Sequence, residues 1–187
     1  PLAEGWEPPD ALSEMEIAEI LEAFAASACR AHKAGFKVLE IHGAHGYLIH
    51  SFLSTLSNRR NDGYGGDLAG RMRFALEVAE AVRTAWPEEL PLFFRLSAVD
   101  NHGWGIDDSI VLASALKARG VDVIDCSAGG ITGAPAFRAQ DDGKPLPKSG
   151  QRPLGFQVPY AEAIRKKAAI PTMAVGRIVD PQQAEDI

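Results

Sequence analysis

Two histidines and a tyrosine follow an apolar run, and their side chains could bind and protonate a substrate. His42 and His45 are separated by Gly43 and Ala44, and Tyr47 lies two residues further on. Because the intervening residues are small, both imidazoles can face one side of a turn. There they could bind a carbonyl oxygen and stabilise the negative charge that it gains during reduction. The Tyr47 phenol is a proton donor at neutral pH.

The same histidines have two other interpretations. They could be structural residues beside a core tyrosine, or His42, His45 and His50 could hold a metal ion. The second interpretation would make the protein a metal-dependent hydrolase. An HxxH spacing alone is a weak signal, and neither an HExxH pattern nor a suitably spaced carboxylate accompanies it. We therefore predict no metal site and keep the hydrolase as an alternative function.

Two further positions carry cations where parallel strands would lie. Arg95 stands inside an apolar run, so its guanidinium needs an accepting partner. That partner is either a structural carboxylate, Asp100 or Asp125, or an electron-rich cofactor ring. Gly176-Arg177 follows another apolar run and precedes a helix, where backbone N–H groups and a cation could bind a phosphate.

Helices and strands alternate in the pattern that positions these residues. Apolar residues at helical spacing, capping residues and Gly or Pro punctuation define the elements. The predicted helices begin after Ser13, at Leu68, at Asp107, near Pro159 and at Pro181, and the predicted strands cover 36–41, 92–96, 121–126 and 171–175.

This alternation predicts an α/β fold with a parallel sheet. The strands lack strict period-two polarity, so we expect them to be buried on both faces. No Gly-rich fingerprint follows a first strand, whereas polar residues follow each strand, and this favours a (β/α)₈ TIM barrel over a doubly wound sheet. A complete barrel takes about 250 residues, so four strands predict about half of one. Its open edges could associate with another chain.

Composition limits the class of protein. Of the 187 residues, 46% are hydrophobic and 24% charged, as in an ordinary globular protein. The net charge of −6 argues against nucleic acid or a membrane as a partner. Cys29 and Cys126 suggest no disulfide framework, so we expect a cytoplasmic location. The chain opens on Pro1 and ends abruptly at Ile187, and we expect it to be a piece of a longer protein.

Several motifs together resemble the Old Yellow Enzyme family of flavin-dependent ene reductases, also called NADPH dehydrogenases. The His-x-x-His form and the Gln-Val-Pro segment resemble its bacterial, thermophilic-like branch. The motifs run from Glu40 through Leu48, then comprise Phe52-Leu53-Ser54, Ser57-Asn58-Arg59, Asp62 through Gly66, Arg71, Phe94 through Ala98, Asp125-Cys126-Ser127, Gln157 through Ala161, and Ala174-Val175-Gly176.

The resemblance implies an FMN-binding barrel that takes hydride from NADPH, or NADH, and reduces the C=C bond of an activated alkene, an α,β-unsaturated carbonyl or nitro compound. His42 and His45 match the pair that holds the carbonyl or nitro oxygen, within a substrate-binding segment that includes Gly43 and Ala44. Tyr47 matches the proton donor. The cofactor-binding residues implied are Arg95 beside the flavin ring, and Gly176 and Arg177 near its phosphate.

The resemblance also implies that residues 1–187 form a partial barrel domain, without the family's first three strands and its last strand. We therefore expect the 187-residue chain by itself to bind FMN weakly or not at all. A non-catalytic half-barrel fragment is the second alternative function. We also expect a homo-oligomer, and the segment 130–152 is longer than the usual loop of the family.

Overall fold

The computed structural model describes residues 9–100, 102–131 and 152–187. Most of the long segment 130–152 therefore lies outside the described residues. Helices and strands alternate along the chain in the order α1 (Glu14–Lys33), β1 (Leu39–Gly43), α2 (Leu48–Leu53), α3 (Leu68–Ala85), β2 (Leu92–Ser97), α4 (Ile106–Lys117), β3 (Val123–Ser127), α5 (Val158–Ala168), β4 (Thr172–Ala174) and α6 (Pro181–Asp186).

The four strands found in the described ranges form one parallel sheet in the order β1-β2-β3-β4. The register aligns Ile41 with Phe94, Phe94 with Ile124, and Cys126 with Ala174. Parallel neighbours need long crossover connections, and here each crossover contains at least one helix. The carboxyl ends of all four strands consequently meet at one edge of the sheet.

Helices cover one face of this sheet and form the core with it. Phe94, Ile124 and Cys126 from the strands are fully buried, as are Val78 of α3 and Leu112 of α4. α1 packs on α3, and α4 packs on α5. Full burial of a large apolar side chain contributes roughly 1.5–3 kcal/mol relative to its exposure, so this layer supplies most of the driving force for folding.

The other face of the sheet is largely open, which corrects one expectation. The sequence predicted strands buried on both faces, but exposed Glu40 and His42 alternate with buried Ile41 and Gly43 along β1. On β2, half-buried Arg95 points to the same open face. Helices lie on only one side of the described sheet, and the polar residues therefore occupy the side without helices.

Most helix ends follow the predicted capping. Ser13 and Glu16 form a capping box at α1, in which the Ser13 amide donates to the Glu16 carboxylate at 2.7 Å. Gly35, with φ +91°, follows the end of that helix. α3 has the predicted bounds, and Asp67 caps it by accepting from the Gly70 amide at 2.8 Å. Local side-chain chemistry thus fixes these ends.

Several boundaries differ from the prediction: β2 ends at Ser97, β4 covers only Thr172–Ala174, and α4 begins at Ile106. β1 begins at Leu39 and not at residue 36, and Phe36 is exposed. β3 covers Val123–Ser127 and not 121–126, because its ladder with β2 extends to the pair Ser97 and Ser127. α2 was not predicted at all, since six residues are too few for a clear helical period. Pairing with the neighbouring strands decides where the strands begin and end.

Among the described residues, no helix combines the length and the apolar character needed to cross a membrane.

Candidate active site

The carboxyl end of β1 brings His42, His45 and Tyr47 together, as the sequence predicted. His42 is the penultimate residue of the strand, and the other two lie in the turn that joins β1 to α2. The ring centroid of His42 is 5.3 Å from that of His45 and 5.2 Å from that of Tyr47, both in edge-on geometry. Three polar rings therefore form one cluster.

Hydrogen bonds from its backbone amides hold this turn in an unusual backbone conformation. His45 and Gly46 both have positive φ, +61° and +79°, and the left-handed region is unfavourable for a residue with a Cβ. Each of the four amides from Ala44 to Tyr47 has an acceptor, in chain order His42 Nδ1 at 3.2 Å, Ser97 Oγ at 3.0 Å, His50 Nδ1 at 2.9 Å and Ala44 O at 3.2 Å.

The backbone fixes the tautomer of His42. Its Nδ1 accepts from the Ala44 amide, so the proton of the neutral ring lies on Nε2. The His42 side chain is exposed on the open side of the sheet. His42 thus presents an N–H donor to the space in front of the sheet.

His45 is held from the end of β3. Its Nε2 lies 2.6 Å from Ser127 Oγ, a hydroxyl that can donate or accept. Burial, followed by the charges of Arg95, His42 and His50, lowers the pKa of His45 below its usual value. The ring is therefore neutral at pH 7, where it carries one N–H and can donate without bringing a net charge into the site.

Tyr47 has the most accessible side chain of the cluster, with 65% of its surface exposed. Its hydroxyl has no hydrogen-bond partner among the residues that the structure describes. Beside it lies an open pocket of about 460 Å³, whose lining includes His42 and three apolar side chains, Phe24, Leu48 and Ile49. The Tyr47 hydroxyl thus lies at the edge of a mainly apolar pocket.

Gly43 and Ala44, predicted to line the substrate site, are buried. A Cβ at Gly43 would lie 2.4 Å from the Phe94 ring and 3.0 Å from the Arg95 carbonyl oxygen, so glycine is required for strand packing. A Cβ at Gly130 would lie 2.2 Å from the His45 carbonyl carbon, so the loop after β3 presses against the turn. The packing roles of these residues are clear, and their contact with substrate stays a prediction.

Arg95 lies beside the cluster on β2. It is aligned with His42 on one side and with Asp125 on the other, and its Nη1 is 3.4 Å from Asp125 Oδ2. The sequence suggested a buried arginine, but 31% of its side chain is exposed, whereas Asp125 is 1% exposed. Burial raises the pKa of Asp125, and the Arg95 charge opposes that shift.

The Arg95–Asp125 pair leaves hydrogen-bonding capacity unused. Within the described ranges, Arg95 Nε is buried and has no hydrogen-bond partner, while the Asp125 carboxyl also lies beside that of Glu40. An unpartnered guanidinium N–H close to the histidine cluster fits the electron-rich edge of a flavin ring, because such a ring offers carbonyl oxygens and nitrogens as acceptors. Both interpretations of Arg95, structural pairing and cofactor contact, are thus compatible with its position.

Gly176 and Arg177 follow β4 at the same edge of the sheet. Both have positive φ, +107° and +58°, and a Cβ at Gly176 would lie 3.0 Å from the Phe156 ring. The Arg177 guanidinium donates to the Arg152 carbonyl oxygen. The close approach explains the glycine, and the predicted phosphate contact of both residues stays a prediction.

His50 does not join His42 and His45 in a metal site. Its ring is fully buried, its Nδ1 accepts from the Gly46 amide at 2.9 Å, and its Nε2 faces Asp100 Oδ2 at 3.4 Å. In the described part of the chain, no group of three or more His, Cys, Asp or Glu side chains could hold a metal ion. The geometry therefore gives the metal-dependent hydrolase no support.

Sequence reasoning missed the groups that hold the cluster in place. Ser97 and Ser127, aligned at the ends of β2 and β3, bind the backbone and the ring of His45. Ser97 also donates to the Gly129 carbonyl oxygen at 2.7 Å. Their positions in the sequence could have indicated this role, since each is a polar residue that directly follows a buried apolar run.

Asp100 provides an acid-sensitive anchor below the turn. Burial raises the pKa of Asp100, but hydrogen bonds from His50, Ser54 and the Gly103 amide outweigh it and hold the pKa below its ordinary value. A carboxylate with a lowered folded-state pKa stabilises the fold above its unfolded pKa, about 3.9. That stabilisation is lost as the pH falls through the folded pKa.

We therefore expect Asp100→Asn to reduce the free energy of unfolding by about 1–3 kcal/mol at pH 7. The difference from wild type should shrink between pH 5 and pH 3, because acid protonates the wild-type carboxylate. Urea unfolding at several pH values measures both effects, with Asp107→Asn on the exposed start of α4 as the control. A difference that stays constant down to pH 3 would contradict this assignment.

Four parallel strands with helices on one face, and a cluster of polar rings at their carboxyl edge, define part of a (β/α)₈-barrel enzyme. Residues 4–187 match the family described as NADH:flavin oxidoreductase / NADH oxidase. The chain belongs to this family, which confirms the resemblance to the Old Yellow Enzyme family and the class of flavin oxidoreductase.

Individual relatives agree with this assignment. The chain is 46% identical over 181 residues to an NADPH dehydrogenase of Halalkalibacterium halodurans, covering 96% of this chain and 49% of that protein. It is 44% identical over 189 residues to an NADPH dehydrogenase of Geobacillus sp. strain WCH70, covering 100% of this chain and 51% of that protein. The chain thus spans about half the length of these relatives.

A solved structure confirms the predicted fold class. The complex of 2-naphthoyl-CoA reductase with 2-naphthoyl-CoA superposes with a TM-score of 0.84 at 25% identity, over 98% of this chain and 27% of that one. Together with the family match, this confirms about half of a (β/α)₈ barrel. The names of the family and of its members imply FMN and an NADPH or NADH donor, as predicted.

Proposed function

We propose that the protein to which this chain belongs reduces the C=C bond of α,β-unsaturated carbonyl or nitro compounds, with FMN as cofactor and NADPH or NADH as hydride donor. One observation carries the proposal. His42, with its N–H fixed on Nε2 by the Ala44 amide, lies within 5.3 Å, between ring centroids, of both His45 and Tyr47. Two oxygen-binding donors and one proton donor are what this reaction requires.

The histidines would act on the oxygen of the substrate. His42 and neutral His45 donate hydrogen bonds to the carbonyl or nitro oxygen, which withdraws electrons from the double bond and makes its β-carbon electrophilic. As negative charge moves onto the oxygen, these donors bind it more strongly, and preorganised donors of this kind lower a barrier by roughly 2.7–4 kcal/mol each.

Tyr47 would complete the reduction. Addition of hydride at the β-carbon leaves a negative charge shared by the α-carbon and the oxygen, and the Tyr47 hydroxyl delivers a proton to the α-carbon. The phenol suits this step because it keeps its proton at neutral pH and is exposed next to the apolar pocket. Solvent can then return a proton to the phenolate.

Arg95, Gly176 and Arg177 are the residues that would hold FMN. When bound, the reduced flavin supplies the hydride. The Arg95 guanidinium, with its unpartnered Nε, would face the flavin ring and favour negative charge on it by Coulomb attraction. Gly176 and Arg177 would lie near the phosphate at the end of β4.

Flavin absorbance and substrate-dependent oxidation of NADPH test this proposal. We expect the full-length protein to purify with FMN, and to consume one NADPH for each molecule of 2-cyclohexenone reduced. A colourless protein that does not take up added FMN, or a flavoprotein inert towards activated alkenes, would contradict it. Metal content and inhibition by a chelator measure the hydrolase alternative in the same preparation.

The uncovered parts of the sheet bear on how the 187-residue chain by itself binds FMN and associates. One face of the sheet and the outer edge of β1 are uncovered, with exposed Phe36 and Val38 just before that edge. We propose weak FMN binding and association of copies of this chain through its edges. Light scattering and FMN titration check this, and a monomer that binds FMN stoichiometrically would exclude it. We also propose that the protein to which this chain belongs is a homo-oligomer located in the cytoplasm.

A further inference from the structure

His50 lies behind the cluster, on α2, and each of its ring nitrogens faces a polar group outside that helix. The ring is fully buried. Its Nδ1 accepts from the Gly46 amide at 2.9 Å, while its Nε2 lies 3.4 Å from Asp100 Oδ2. Among the described residues, Nε2 and Asp100 Oδ2 are both buried and form no hydrogen bond, and each has the other as a close polar neighbour. The buried ring is thus hydrogen-bonded on its Nδ1 side and faces a carboxylate on its Nε2 side.

This arrangement determines the tautomer of the ring. Because the Gly46 amide is a donor, His50 Nδ1 carries no proton, and the single proton of the neutral ring lies on Nε2, directed at the Asp100 carboxylate. Asp100 is itself immobile, since its Oδ1 accepts from the Gly103 and Trp104 amides at 2.6 and 2.8 Å. The chain of contacts therefore runs from the loop after β2, through His50, to the turn.

The Gly46 amide is a critical point in that turn. It lies between left-handed His45, whose ring is predicted to bind the substrate oxygen, and Tyr47, the predicted proton donor. The amides on either side are held by other acceptors, Ser97 Oγ and the Ala44 carbonyl oxygen. His50 alone, among the described residues, accepts from the amide between them.

We propose that His50, oriented by Asp100, is a positioning residue that sets the relative placement of His45 and Tyr47. The effect of His50 on catalysis rests on the proposed function. The contacts of its ring with the Gly46 amide and with Asp100 do not depend on that function. His50 acts through the backbone of Gly46 and touches no substrate. The hydrogen-bond acceptor at the Nδ1 position carries this role, and the rest of the ring supplies packing.

Two substitutions separate the nitrogens of the ring. His50→Asn places an amide oxygen near the Nδ1 position, so it can still accept from Gly46, but it no longer reaches Asp100. His50→Gln places its amide near the Nε2 position, so it can donate to Asp100 but leaves the Gly46 amide without an acceptor. Both variants remove the same ring, and each is therefore the matched control of the other.

Amide hydrogen exchange of the full-length protein, followed residue by residue, measures the contact directly. We expect the Gly46 amide to exchange about tenfold faster in His50→Gln and within about twofold of wild type in His50→Asn. The amides of His45 and Tyr47 serve as internal references. Equal exchange of Gly46 in the two variants would overturn the proposal.

Rapid mixing gives the catalytic readout. We expect His50→Gln to slow the alkene half-reaction about tenfold, with transfer of hydride from NADPH to the flavin unchanged. His50→Asn should stay near wild type in both half-reactions. Equal slowing of both half-reactions, in proportion to lost stability, would make His50 merely structural and overturn the proposal.

Nitrogen-15 NMR of the wild-type histidine rings needs no variant to fold. We expect His50 to carry its proton on Nε2, and a proton on Nδ1 would overturn the proposal. A protein that reduces no activated alkene would refute the proposed function, while the exchange and tautomer measurements would still decide the role of His50 in the turn.

Discussion

The Tyr47→Phe protein is expected to reduce activated alkenes about 10²–10⁴ times more slowly than wild type, the usual contribution of a positioned general acid. The substitution removes one oxygen atom from an exposed side chain, so the fold and the pocket should remain. Transfer of hydride from NADPH to the flavin should be unchanged, because Tyr47 has no part in it. Rapid mixing of the reduced protein with 2-cyclohexenone measures the affected step.

The control is Tyr64→Phe. The Tyr64 hydroxyl donates to Glu77 at 2.9 Å, outside the histidine cluster, and burial together with Glu77 raises the pKa of Tyr64 to about 12. Its removal should leave the alkene reaction within about twofold of wild type, since a hydrogen bond to a carboxylate outside the cluster affects stability only. Equal rates for the Tyr47 and Tyr64 variants would mean that the proton comes directly from solvent.

The second large effect is expected at His42. His42→Ala removes a donor whose tautomer is set by the Ala44 amide, and the rate of alkene reduction should fall about 10²–10³-fold. Since the donor binds the developing oxygen charge more strongly than the ground state, the loss should fall mainly on kcat, with a smaller rise in KM.

His42→Gln distinguishes hydrogen bonding from packing. A glutamine amide reaches the Nε2 position and can donate there, so it should restore part of the rate lost in the alanine variant. His102→Ala removes an exposed imidazole in the loop after β2 and is the control. It should leave the rate of alkene reduction unchanged. A glutamine variant as slow as the alanine variant would show that the ring itself, and not its N–H, is required.

The elements of this protein with local causes were predictable from sequence. The capping box at Ser13 and the pair Asp180-Pro181 predicted where α1 and α6 begin, because a helix end is satisfied by side chains within a few residues. The grouping of His42, His45 and Tyr47 was also predictable, since one short turn contains two of them and follows the strand that carries the third.

The open face of the sheet required the tertiary structure. Phe93-Phe94-Arg95-Leu96 predicts a buried strand, yet 31% of the Arg95 side chain is exposed because helices cover only the other face of the described sheet. Whether a strand is buried on one face or on both faces depends on which elements pack against it. That information is not contained in the strand's own sequence.

The support of the turn also came from tertiary structure alone. The amide of His45 is bound by Ser97 and its ring by Ser127, which are 52 and 82 residues away in sequence. His50, four residues from Gly46, fits a metal-ligand pattern in sequence, and only the fold places Asp100 beside its ring. The sequence by itself determined which residues are available for chemistry. The parallel register of β1, β2 and β3 decided which of them meet, because only it places the ends of distant strands side by side.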